Sequence, residues 1–310
     1  MTEKPFLKRF LNLRVILFIG LALAIVSFIG GSVGAMFRNS SPLVFLATSS
    51  PQPVLPAEKP FAGLFVTNTM IASWISILVL FGLFFFASRK MKLLPGGLQN
   101  LVEFFCEVAI NFTDDVAGKK WGRLFFPVCF TIFLFVLTNA WLDLTPGFGT
   151  VEMNGVPLLR NANSDINVPL MLAVVSFCFV EYQGFKAKGA SYLQKFFNFG
   201  LLACGFRQLF SGRFKNGLKD TFMGIVAVFA GFIEGLSELI RMISFTFRLF
   251  GNMLAGTIVV MVMIYLVPWV IPSLFYGLEA LLGFVQALIF AGLTLGFLTM
   301  AVTSEREETS

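Results

Sequence analysis

Runs of about 20 apolar residues recur along this chain, and nothing else in it limits the fold as tightly, because a helix needs about that length to cross the hydrocarbon core of a bilayer. Four are plain: Val15 to Phe37, Thr69 to Ala87, Leu124 to Leu144 and Val168 to Phe185. With 57% hydrophobic and only 13% charged residues, the composition is that of a polytopic membrane protein and excludes an ordinary soluble domain. The first run has small residues near its end, Ser32, Gly34 and Ala35, as a cleaved signal peptide would, but it is longer than the usual apolar core of such a peptide. A retained helix is the expectation.

Lysine and arginine set the orientation. The N-terminal stretch carries Lys4, Lys8, Arg9 and Arg14, residues 89 to 123 carry six basic residues, and residues 184 to 222 carry seven. Those segments belong inside. The intervening ones hold Arg38 and Lys59, then Arg160 alone, then none from Tyr265 to Gly277, and belong outside. Five prolines, Pro42, Pro51, Pro53, Pro56 and Pro60, make the first outer segment an extended loop.

Between the second and third spans, Leu101, Phe105, Val108 and Phe112 recur on one helical face and Glu103, Glu107, Asn111 and Asp114 on another. This pattern predicts an amphipathic helix of about residues 97–118 at the inner interface, its charges a solvated face. The C-terminal third has no proline from Thr221 to Leu266, a stretch about twice as long as the hydrocarbon core is thick if helical throughout. Such a helix must tilt or break. Pro268 and Pro272 mark a turn, and a second long helix follows, so residues 221–303 are expected to form a long inclined hairpin. The expected fold is therefore an all-α membrane protein of six membrane-crossing helices plus one interfacial helix. Residues 1–68 would supply the first helix and outer loop, and residues 69–310 the main membrane domain.

Histidine is absent, which leaves Asp, Glu, Arg and Lys as the charged groups available near membrane depth. Cys106, Cys129, Cys178 and Cys204 are widely spaced, show no C-x-x-C pattern and read as packing residues. No metal or cofactor signature is present. Forty Phe against four Tyr and four Trp, without basic residues interleaved, suit lipid contact and not nucleic-acid stacking.

Arg248 stands within the run IRMISFTFRLFGNMLAGTIVVMVMIYLVPWV with no acid within a helical turn. A guanidinium does not shed its proton, and a fixed cation at membrane depth faces a partner, water or a binding site and not lipid. Snorkelling to the surface is the plain alternative, but apolar residues flank Arg248 for many positions on its C-terminal side. Glu234, Ser237, Arg241, Ser244, Arg248 and Asn252 fall on one narrow face of the same helix, the polar stripe an aqueous path needs. A stripe that merely joins helices is the competing reading, and two arginines and a glutamate fit it poorly. On the returning helix Glu279, Gly283 and Gln286 share a face. Glu279 reads equally well as a proton-exchanging carboxyl or as a headgroup-level residue just past Pro272. Asp143, Asp165 and Asn167, at span ends, are individually weak signals that suit interfacial caps.

FRLFGNMLAG, taken with FVQALIFAGLTLGFLTMA, PGGLQNLVEF, TIFLFVLTNAWLDLTPG and NSDINVPLMLAV in that family's order, resembles subunit a of the membrane (Fo) sector of rotary F-type ATP synthases over most of the chain after about residue 69. The resemblance implies an ion-translocating stator subunit. In it Arg248 would face the carboxylates of the rotating c-ring, with Asn252 and Gln286 as polar neighbours. Glu234 and Ser244 would lie on the inner access path, and Asp143, Asp165 and Glu279 on the outer one. It also implies c-ring proteolipids, peripheral-stalk b subunits and the lipid bilayer as partners. No bond would be made or broken by this chain itself. The setting would be a bacterial inner membrane, with both termini cytoplasmic. Some members carry a glutamate nine residues after the arginine and a histidine seven before the glutamine; here those positions are Thr257 and Glu279, as though the acid had moved to the facing helix. Residues 189–223 are longer than usual and suggest a surface amphipathic hairpin. A stand-alone ion-coupled secondary transporter is the alternative, although internal duplication with broken helices is not seen. A membrane hydrolase would need a nucleophile–base pair or metal cluster that the sequence lacks.

Overall fold

The computed structural model describes residues 4–38, 57–60, 65–89, 91–92, 96–145, 148, 151–153, 156–189, 192 and 214–303. Most of the proline-rich loop, residues 193–213 and the acidic tail lie outside them. The protein is an all-α membrane protein. Its helices are α1 (Lys4–Gly30), α2 (Ser32–Arg38), α3 (Asn68–Ser88), α4 (Leu98–Asp143), α5 (Asn167–Lys188), α6 (Phe214–Leu266) and α7 (Val270–Val302). Strands β1 (Glu152–Met153) and β2 (Val156–Pro157) form a minimal antiparallel ladder, Glu152 opposite Pro157, between α4 and α5.

Among the described residues five helices are long and apolar enough to cross a membrane, and a sixth crossing results if the bent pair α1–α2 is one span. That pair occupies the expected Val15–Phe37 run but turns by 52° between Gly30 and Ser32. Packing accounts for the bend: a Cβ on Gly31 would stand 2.7 Å from the Ser27 carbonyl oxygen, 2.9 Å from that of Leu266 and 3.1 Å from Pro268 Cδ. The Ser27 hydroxyl donates to the Pro268 carbonyl at the same place.

The interfacial helix and the third span, expected as separate pieces, are continuous in α4 except at Gly118, whose φ of 75° and ψ of 155° are not helical. Only glycine takes that conformation without steric cost, so it forms the elbow. Before the elbow three stripes separate. Val102, Cys106, Ala109 and Thr113 are partly or fully buried, Leu101, Phe105, Val108 and Phe112 are exposed, and Glu103, Glu107 and Asn111 are exposed on a third side. Protein, lipid and water can each take one.

The C-terminal hairpin is α6 and α7, joined at Val267–Trp269, and α6 begins seven residues before the expected Thr221. Trp269 holds a positive φ of 90°, an uncommon state for an aromatic residue.

The chain divides into two compact units. One comprises residues 1–73, 139–165 and 251–285. In it Asn68 ties the start of α3 to Glu58 and to the Pro157 carbonyl, and the Trp141 indole donates to the Ala280 carbonyl at 3.1 Å. The other comprises residues 74–138, 166–250 and 286–310. Its core is Phe125, Cys129, Val180, Leu295, Leu298 and Ala301, bordered by Trp121, Phe179 and Phe297, with Ser176 and Thr294 joined through their hydroxyls at 2.9 Å.

Candidate functional site

In the first unit three of the expected acids are brought together. Asp143, at the last turn of α4, receives the Asn161 amide at 3.1 Å and the Thr257 hydroxyl at 3.2 Å, both on Oδ2. Asn161 in turn caps the 3₁₀ turn Ala162–Ser164 by accepting the Asn163 N–H at 2.9 Å. That turn delivers Asp165, 7% exposed, to the Thr69 hydroxyl at 2.9 Å. Glu279, also 7% exposed, lies within the field of Asp143, and its Oε1 is 3.0 Å from where a Cβ on Gly256 would be. Glycine at 256 is thus what lets this carboxyl approach the α6 backbone. Arg160 sits beside the cluster, donating from Nε to Ser164 Oγ at 3.2 Å. Burial draws its guanidinium below its usual range, against the opposing pull of Asp165, Glu58 and Asp143.

The second unit holds Arg248. Its side chain is exposed among Ile243, Ser244 and Phe247, its guanidinium carbon lies 6.0 Å from the Phe245 ring centroid, and among the described residues no carboxylate forms an ion pair with it. Of the expected stripe, Ser237, Ser244 and Arg248 are exposed in this unit, while Glu234 and Arg241 are half-buried; Asn252, also exposed, belongs to the first unit. Exposure therefore varies along the one arc. Gln286, by contrast, is only 3% exposed.

A cavity of about 30 Å³ in this unit is lined by Glu181, Glu238 and Arg241 together with Ser176, Phe245 and Phe297. The Arg241 guanidinium lies 3.9 Å above the Phe297 ring. The Tyr192 hydroxyl donates to Glu181 Oε1 at 3.3 Å. Burial, then the carboxylates of Glu181, Glu238 and Glu234, push that phenol up, so it remains a neutral donor.

The profile of the family described as ATP synthase A chain matches residues 70–299. The chain belongs to that family. It is 31% identical over 237 residues to the ATP synthase subunit a of Gloeobacter violaceus, covering 76% of this chain and 83% of the relative. The subunit a of Aliarcobacter butzleri is 30% identical (72% and 83% covered), and that of Helicobacter hepaticus 29% (72% and 84%). Membership of the ATP synthase A chain family makes this a multi-pass membrane protein of ATP synthesis and ion transport, and all eight expected site residues fall within the matched segment. Glu181, Glu238 and Tyr192 were not singled out from sequence. Glu238 is four residues after Glu234, a helical neighbour the narrow-face reading passed over, whereas Glu181 carries no local signal beyond being an acid near the end of an apolar run.

Proposed function

We propose that this chain is the ion-translocating stator subunit of a rotary ATP synthase, residues 69–310 forming the membrane domain that faces a ring of c-type proteolipids, with b subunits of a peripheral stalk and lipid as its other neighbours. Arg248 stands opposite the ring carboxylates. The exposed guanidinium on an apolar helix, without an ion-paired carboxylate among the described residues, is the observation that carries this reading, because such a charge calls for an anion opposite it. A passing carboxylate is held there as an anion, and the fixed charge keeps ions from leaking between two half-channels. Asn252 and Gln286 flank the arginine. Asp143, Asp165 and Glu279 serve the outer half-channel, and Glu234 and Ser244 the inner one. The membrane is a bacterial inner membrane, with both termini in the cytoplasm.

The test is ATP synthesis driven by an imposed ion gradient in reconstituted vesicles. Arg248→Ala is expected to abolish synthesis and to let ions pass without rotation. Arg248→Lys is expected to fail as well, since an ammonium lacks the planar, weakly hydrated guanidinium and can deprotonate when desolvated. Substantial synthesis by the alanine variant would overturn the mechanism.

A further inference from the structure

The cleft between α5, α6 and α7 is small, partly open, and lined by three charged side chains among apolar ones, which is not how a membrane protein fills space when packing is the only aim. Its volume of about 30 Å³ is enough for a water molecule, and Glu181, Glu238, Arg241 and Ser176 supply the polar partners such a water needs. Glu238 is 4% exposed, and Tyr192, also 4% exposed, closes Glu181 from the other side by its hydrogen bond. Arg241 is fixed by stacking on Phe297.

We infer that Glu181 and Glu238, with Arg241 as their positioning cation, form a water-holding proton relay on the inner leg of the ion path. This assigns to two further acids a role that the family resemblance implies for Glu234 and Ser244, and it rests on the stator reading above. The charge balance explains the arrangement. Two carboxylates and one guanidinium carry one net negative charge when both acids are ionised, and become neutral when the pair takes up one proton. In the relay step a hydronium on the inner side gives a proton to a carboxylate oxygen of the pair, forming its O–H bond and leaving water. The same O–H bond then breaks toward a water further along the path, and the pair returns to its starting charge. The other groups facing the pair are Glu234, half-buried on α6, and the Tyr192 phenol, which stays protonated throughout.

The experiment uses the whole complex in liposomes, with proton flux driven by a potassium diffusion potential and recorded against the pH on the face that was cytoplasmic. Glu181→Gln and Glu238→Gln are each expected to lower the flux on the order of tenfold or more and to flatten its pH dependence, as loss of a proton-transferring group does. Glu181→Asp should restore both in part, which a purely structural role would not require. Should the glutamine variants fail to assemble, Ser176→Cys decides: silver ions added from the inner face should block its flux beyond their effect on the parent protein. Parental flux and pH profile in both glutamine variants, an unaffected Ser176→Cys complex, or a parent complex that carries no protons would each overturn the relay. The two readings separate through Arg248→Ala. Lost synthesis in that variant with parental flux in the glutamine variants removes the relay alone, while retained synthesis removes the stator mechanism beneath it.

Discussion

Glu279 shows how much one side chain owes to its neighbours. From sequence it was equally a headgroup-level acid; in the fold it is buried against Gly256 and shares its surroundings with Asp143, whose Oδ2 is held by Thr257 and Asn161. Glu279→Gln is expected to slow ATP-driven ion pumping while the complex still assembles, because an amide keeps the hydrogen bonding and cannot carry a proton. Parental pumping rates would remove Glu279 from the path. Thr257 does not titrate but donates to Asp143, so Thr257→Val should cost about 1 kcal/mol of stability through the lost hydrogen bond. A lowered thermal midpoint of the purified complex is the readout. Asp143 and Asp165 were weak signals singly because a sequence does not display the 3₁₀ turn from Asn161 that joins their two hydrogen-bond networks.

The elements themselves were largely legible. Apolar run length sets each span, the apolar face opposed to a charged one marks the interfacial half of α4, and the proline-free stretch before Pro268 marks the hairpin. Less legible was continuity, because glycine spacing alone does not say whether Gly118 ends a helix or bends one. At φ 75° and ψ 155° the position excludes side chains, so Gly118→Ala should cost about 1–3 kcal/mol and loosen the elbow. Thermal unfolding in detergent measures this; an unchanged midpoint would mean that the elbow relaxes freely. The polar stripe on α6 was legible as a pattern but not as a partition. Helical period places Glu234 through Asn252 on one arc, yet only packing determines that Arg241 turns toward Phe297 while Arg248 stays exposed.

For the molecule as a whole, the parity of crossings decides where the termini lie, and the bent pair α1–α2 decides the parity. Five crossings put the two ends on opposite sides of the membrane, and six put them on the same side. Both halves of the pair bent by 52° are apolar, as one bent span would be. The contact of Gly31 with Leu266 and Pro268, and of Ser27 with the Pro268 carbonyl, further holds the bend at the turn between α6 and α7, a segment that is free of basic residues from Tyr265 to Gly277 and therefore belongs outside. A helix whose first residues carry Lys4, Lys8, Arg9 and Arg14 and whose bend meets an expected outer turn is expected to cross from inside to outside. Six crossings are the expected count, with the N terminus and the acidic tail both expected on the cytoplasmic side. The check is single-cysteine labelling in intact cells, in a background without the four native cysteines. A cysteine placed near Ser310 and another at position 2 should both resist an impermeant thiol reagent and react once the membrane is opened, whereas labelling at position 2 from outside, with the cysteine near Ser310 still protected, would return the count to five.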